Sequence, residues 1–406
     1  MLVFEFKAYG EAHQFKAIDQ AIRTTQFIRN KAIRLWIDGF AKSWIELSRH
    51  CALLAKEFSF ANNLNSMARQ ATAERAWASI SRFYDNCKKS PCATRTPLVK
   101  GGRGDGYPTF QKDCRSVEYK TSGWKLSPNR KSIVFTDKNN IGSLKLKGTR
   151  DLHFYQLNQI KRVRLIKRAD SYYVQFCISV DRFETIKPTH QTIGLDVGFD
   201  CFYTDSLGLK IDNPRFYRIG ERKLKRFQRL VSRKIKGSNN RSKSRIRLGR
   251  VHLKISRQRK DHAVKLARCV ITSNDVVVYE DLRIKNLVKN HCLAKSINDA
   301  GWYQFRVWLE YFGKVFGRAT IAVNPAYTSQ ECSSCSTVVK KSLSTRSHVC
   351  QCGCVLDRDE NAALNILNKG LATVGHTGSF MLDMSNALGE STSTLIGAIL
   401  SEQVGS

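Results

Sequence analysis

A chain of 406 residues exceeds one average domain and predicts two or three, with ample core. Its 68 Lys and Arg against 34 Asp and Glu leave a formal charge of +34, far beyond what solubility needs, and point to a polyanion partner. The 13 cysteines show no disulfide-like rhythm, and no apolar run approaches the roughly 18 residues of a membrane span, which excludes a secreted disulfide scaffold and a membrane protein and predicts a soluble, cytoplasmic one.

MLVFEFKAYG alternates as a short strand does, and Ile18, Ala21, Ile22, Thr25, Ile28, Ala32 and Leu35 then recur at helical spacing. A second amphipathic segment carries Leu64, Met67, Ala71, Trp77, Ile80 and Tyr84 on one face, with Arg69, Gln70, Arg75 and Arg82 beside it. Polar helical positions are usually only solvated; a nucleic-acid contact is the alternative for Gln70 and its arginines. From Lys88 to Lys112, Pro, Gly and basic residues break the periodicity and predict a linker or a phosphate-facing loop. SIVF, SLKLKG, KRVRLIKR and SYYVQFCISV read as short strands, the last two paired about Ala169 and Asp170, and predict a small β-barrel or sheet.

At Gln191 the character changes. TIGLDVGF reads as a buried strand presenting Asp196, and CFYTDSLGLKI as a hairpin turning at Ser206 to Gly208. An ionised carboxylate among apolar strand residues is unfavourable unless a metal or cation stands beside it, although a hydrogen-bonded turn Asp is also an ordinary feature. Residues 215 to 268 carry about twenty Lys and Arg against two acids. Leu224, Phe227, Leu230, Val231 and Ile235 form one helical stripe there, and GSNNRSKS breaks it before another helix. Such an excess repels itself unless phosphates are near, so this basic helical hairpin offers Arg222, Lys223, Arg226, Arg233, Arg257 and Lys260 as candidate nucleic-acid contacts. SNDVVVYEDL is a strand of the buried kind ending in Glu280 and Asp281, Trp302, Phe305, Leu309 and Phe312 mark a further helix, and ATIAVNP gives one more strand.

The segment from Asn324 to Ile366 concentrates the chemistry. Cys332 and Cys335 form a CxxC, and Cys350, Cys352 and Cys354 crowd a second knuckle in which Gly353 supplies the tight turn. Four sulfurs at such spacing select tetrahedral zinc; Cys350 with Cys352 is preferred because the glycine follows directly, and Cys354 could replace Cys352. Asp357, Asp359 and Glu360 then precede Ala362, Ala363, Leu364 and Ile366, which opens a helix with acids at its positive end. Capping needs only one of them, leaving another to face a metal. An acid from each of three segments, Asp196, Glu280 and one from this helix, suits two magnesium ions, because carboxylate oxygens are hard ligands and two-metal sites drive phosphodiester displacement.

GLDVGF, YEDL, AGW, PAYTSQECSSC and DRDENAALNI together resemble the TnpB family of transposon-encoded RNA-guided nucleases, over most of residues 190 to 370, a core shared with miniature type V CRISPR nucleases. The resemblance implies an α+β multidomain chain. A β-barrel (wedge) domain would span residues 1–187 with a helical recognition bundle inserted at about 12–90, and an RNase H-like (RuvC) nuclease domain residues 188–326 and 355–370. A zinc ribbon would occupy 327–354 and a flexible tail 371–406. It implies Asp196, Glu280 and Asp359 as catalytic magnesium ligands, with Asp359 matching the position better than Asp357, and Gln70 on the helix that inspects a short DNA motif. The partners it implies are a guide RNA from the transposon end and double-stranded target DNA, bound by a monomer in a prokaryotic cell. A guided repressor that binds without cutting and a transposition accessory protein are the other classes.

Overall fold

The computed structural model describes residues 1–89, 106–340, 342 and 345–375, and the chain divides into two compact units, Met1–Asp181 and Arg182–Ser406. In the first, β1 (Leu2–Tyr9) leads into four helices, α1 (Ala12–Ile37), α2 (Trp44–Glu57), α3 (Ser59–Asn62) and α4 (Ser66–Lys89). Six strands follow: β2 (Ser116–Lys120), β3 (Trp124–Leu126), β4 (Ser132–Phe135), β5 (Ser143–Lys147), β6 (Ile160–Lys167) and β7 (Tyr172–Ile178). They join β1 in an antiparallel, barrel-like seven-stranded sheet ordered β2-β6-β7-β1-β5-β4-β3. Alternation along β1 buries Leu2, Phe4, Phe6 and Ala8, and Phe6 meets Phe176 edge to face at 5.5 Å. Periodicity indicated α1 and α4 but missed α2, whose start has its own signature: Ser43 accepts from the Glu46 N–H and Glu46 accepts from the Ser43 N–H, a capping box. Most of the expected linker, residues 90–105, lies outside the described residues.

The second unit holds β8 (Thr192–Asp196), β9 (Cys201–Asp205), β10 (Lys210–Asp212), α5 (Phe216–Ser232), α6 (Asn239–Ser273) and β11 (Val276–Glu280). Then come α7 (Ile284–Leu287), α8 (His291–Ala300), α9 (Trp302–Phe316), β12 (Ala319–Val323), β13 (Ser347–Val349), β14 (Val355–Asp357) and α10 (Arg358–Gly375). A five-stranded sheet runs β10-β9-β8-β11-β12, with β8, β11 and β12 parallel. Both faces are covered. Val277 and Tyr279 pack with Phe305 and Leu309 of α9 and Ala267 and Ile271 of α6, while Val276 and Val278 face Ile366 and Leu367 of α10.

Two expectations need correction. The basic break is shorter than GSNNRSKS, because Ser238 accepts from the Arg241 N–H at 3.1 Å and starts α6 at Asn239. The tail expected from 371 is still helical through Gly375, and Gly370 shows why: a Cβ there would lie 2.5 Å from Val278, so this stretch of α10 is pressed onto the sheet. Residues 376–406 lie outside the described residues.

Candidate active site and metal centre

Parallel pairing of Leu195 with Tyr279 brings the carboxyl ends of β8 and β11 together, so Asp196 and Glu280 leave the sheet at the same edge. The third acid arrives on α10, which lies unusually close to β8. A Cβ on Gly194 would stand 2.2 Å from the Ala363 carbonyl, and only glycine permits that approach. At the start of α10 the two aspartates divide their labour. Asp357 caps the helix, its Oδ1 accepting from the Asp359 N–H at 3.0 Å and the Glu360 N–H at 3.4 Å, while Lys210 donates to its Oδ2 at 2.7 Å. Burial acts against that charge, but Lys210 and the helix N–H groups hold the Asp357 carboxyl below its ordinary range. Asp359 is left with its carboxylate for other work.

Asp196 feels the charge of both other acids. Burial pushes the Asp196 carboxyl well above the usual range, the charges of Glu280 and Asp359 push it further, and Arg358 partly opposes them. Burial also raises Glu280, opposed by the Thr328 hydroxyl, which donates to Oε1 at 2.6 Å, and by the Lys369 charge. The Arg358 guanidinium donates to Asp359 Oδ1 at 3.0 and 2.9 Å, and Arg346 stands 3.7 Å from Oδ2. Thr328, Arg346 and Arg358 thus touch the acids although spacing did not single them out; the TS of PAYTSQ and the Arg between the two acids of DRD were the visible signals.

Among the described residues, the cysteine group alone has three or more ligating side chains with all donor atoms within 4.8 Å of one another: Cys332, Cys335, Cys350 and Cys352. Cys332 and Cys352 sulfurs lie 3.6 Å apart, Cys335 and Cys350 sulfurs 3.5 Å. Gly353, at φ +87°, turns the second knuckle so that Cys352 joins the group; Cys354 stays outside it, and its carbonyl accepts from the Cys350 N–H at 3.0 Å. Two asparagines of α10 tie the first knuckle to the acid-bearing helix. Asn361, fully buried, donates to the Glu331 carbonyl at 2.7 Å and accepts from the Ser333 N–H at 2.9 Å; Asn365 donates to the carbonyls of Thr328 at 2.9 Å and Glu331 at 2.7 Å. Their four-residue spacing on one helix face, within an apolar run, was the unused sequence signal.

The candidate nucleic-acid residues are divided between the two units. Arg222, Lys223 and Arg226 are exposed on α5, Arg233 at its C-cap, and Arg257 and Lys260 on α6; the two helices pack closely at Gly220, where a Cβ would meet Ile255 at 2.7 Å. Gln70 lies in the other unit, lining a 280 Å³ cavity with Trp44, Ile45, Arg49 and Arg69. No described helix is long and apolar enough to cross a membrane.

The family model OrfB_IS605, described as a probable transposase, matches residues 175–291, and that of the Cas12f1-like TNB domain matches residues 302–366. A Streptomyces pristinaespiralis protein provisionally named an RNA-guided DNA endonuclease is 29% identical over 383 residues, 91% of this chain and 89% of its own. InsQ of Escherichia coli K12, with the same provisional name, is 29% identical over 286 residues, 66% of this chain and 69% of its own. A TnpB-like protein of Acanthamoeba polyphaga mimivirus is 28% identical over 142 residues, 33% of this chain and 27% of its own. The fold is similar to that of a chain in a Cas12f1–sgRNA–target DNA complex, with a TM-score of 0.53 at 14% identity over 89% of this chain and 83% of that one. The DRDENAALNI acids and the cysteine knuckles lie within the second matched segment, and the chain is similar to proteins named as RNA-guided DNA endonucleases and TnpB-like proteins.

Proposed function

We propose that the protein is an RNA-guided DNA endonuclease of a transposable element, cutting target DNA beside a short motif by metal-dependent phosphodiester hydrolysis. The observation that carries this reading is the shared electrostatics of Asp196, Glu280 and Asp359, brought together from two parallel strands and a helix start. The sheet order, three antiparallel strands followed by two strands parallel to the third, supports an RNase H-like (RuvC) assignment. Hard carboxylate oxygens, with Asp196 raised by the charges of Glu280 and Asp359, fit a divalent cation, and two Mg2+ ions held by Asp196, Glu280 and Asp359 would supply Lewis-acid charge at the scissile phosphate. Thr328 fixes the Glu280 carboxylate, and Asp357, by capping α10, fixes the backbone that carries Asp359. Four clustered sulfurs fit zinc in a structural ribbon through Cys332, Cys335, Cys350 and Cys352.

The basic face of α5 and α6 suits guide RNA, and Gln70 and its cavity suit inspection of the target-adjacent motif, with base pairing choosing the sequence. The guide would come from the transposon end, and one copy of the chain would act in a prokaryotic cytoplasm. The test is plasmid cleavage by protein co-purified with its RNA, beside Asp196→Ala, Glu280→Ala and Asp359→Ala. Each variant is expected to lose at least about a hundredfold in rate while keeping RNA and target binding. Full cleavage by Asp359→Ala, or cleavage in chelator, would overturn the reading; guided binding by a wild type that never cuts would favour a repressor.

A further inference from the structure

Beside the acids lies a second concavity, a cavity of 440 Å³ lined by Phe199, Asn213, Arg215, Arg218, Ser296 and Asp299. Phe199 stands three residues beyond Asp196, on the turn between β8 and β9. The walls are fixed from behind. Buried Asp299 spends its charge inward, accepting from the N–H groups of Tyr217 at 2.7 Å and Arg218 at 3.2 Å and from the Arg259 guanidinium at 2.9 Å. Asn213 donates to the Phe199 carbonyl and accepts from the Arg215 N–H, both at 3.2 Å. Arg215 is held in the left-handed region at φ 47° and ψ 46°, a strained backbone conformation of the kind found at ligand clamps.

Two features give the cavity a chemistry. Phe199 packs on Trp302 with ring centroids 4.8 Å apart yet stays 36% exposed. Arg215 approaches Asp200 at 3.6 Å, Asp200 also pairs with Arg346, and Arg346 stands 3.7 Å from Asp359. A row of guanidiniums therefore leads from the cavity to a catalytic acid, bridged by one exposed aspartate.

We propose that this cavity is a subsite for one nucleotide of the single DNA strand that reaches the acids, with Arg215 and Arg218 on its phosphate and the open side of Phe199 under its base. The inference rests on the nuclease reading above. Its volume lies within the range of about 300–1,000 Å³ usual for small-ligand pockets. Stacking on an aromatic ring accepts any base, which suits an enzyme whose sequence choice is made elsewhere, and it requires a base free of its partner.

The test uses the ribonucleoprotein in chelator and reads fluorescence anisotropy of a labelled deoxythymidine oligonucleotide, its abasic counterpart and a uridine oligonucleotide. Arg215→Gln with Arg218→Gln should weaken the deoxythymidine strand about tenfold. Phe199→Leu should weaken the intact strand and leave the abasic one unchanged. Lys265→Gln with Lys314→Gln removes equal charge elsewhere and should change neither. Equal melting temperatures establish that the variants fold. An arginine pair that behaves like the lysine control, a wild type that binds intact and abasic strands alike, or an effect confined to the uridine strand would each overturn the subsite. A wild type that binds these strands but never cuts a guided plasmid would defeat the nuclease reading instead.

Discussion

The cysteine four and the acid three solve the same problem, gathering side chains from distant segments, with opposite results. The four sulfurs lie within 4.8 Å of one another, a spacing that no group of acids among the described residues meets, and Asp359 turns onto Arg358 and Arg346 instead. The difference is charge. The sulfurs approach to 3.5 and 3.6 Å, whereas the charges of Glu280 and Asp359 both act against ionisation of Asp196.

The comparison can be broken first on the sulfur side, where the largest effect is expected. Structural zinc contributes on the order of 10 kcal/mol to small metal domains, so Cys352→Ser should lose the metal and expose the ribbon to hydrogen exchange, while Cys354→Ser retains both. Metal analysis showing the reverse pattern would move the ligand to Cys354. On the acid side, Gly194→Ala places a methyl 2.2 Å from the Ala363 carbonyl and should push α10 from the sheet, at about 1–3 kcal/mol of stability by chemical denaturation, with a further loss of cleavage because Asp359 moves too. A variant that is destabilised yet cuts at the wild-type rate would show that α10 need not sit flush.

Thr328→Val removes the hydroxyl that donates to Glu280 and should weaken Mn2+ binding about tenfold, the effect of roughly 1–2 kcal/mol, with Thr328→Ser restoring it. Unchanged affinity by electron paramagnetic resonance would leave Thr328 a spectator. The smallest effect concerns protons. Asp196 and Glu280 bind their protons more tightly when folded than unfolded, so metal-free protein loses stability as pH rises from the ordinary carboxylate range through their raised values. Asp196→Asn should remove part of that loss and raise Tm in chelator at pH 8 by about 2 °C or more, with less gain at pH 5. A lower Tm at both pH values would mean that the acids are not in conflict.

Much of this was legible because local chemistry declared it. TIGLDVGF and SNDVVVYEDL read as buried strands with acids at their ends, and that is where β8 and β11 put Asp196 and Glu280. That one of the acids opening α10 would be spared from capping followed from what a helix cap needs, while the preference for Asp359 came from the resemblance, and the choice between Cys352 and Cys354 stayed open until the Gly353 turn was visible. What the sequence hid was contact between segments. Thr328 meets Glu280 across 48 positions and Arg346 meets Asp359 across a small sheet, and no periodicity reports such pairs. Helix α2 was hidden differently: its capping box was present, but Trp44, Ile45 and Leu53 are exposed, which blurs the apolar stripe that reveals a helix.

The pairing of Leu2 with Ile178 has a consequence for the protein's birth. Strand β1 leaves the ribosome before its neighbours β5 and β7, which are encoded after the whole helical insertion. At about 5–20 residues per second, the first strand waits roughly 10–35 s with its hydrogen-bonding edges and Phe4 and Phe6 uncovered. Helices α1 to α4 can meanwhile form from contacts much closer in sequence. The N-terminal strand is therefore where slowed translation, or a chaperone that holds nascent chains, should most change the yield of active protein.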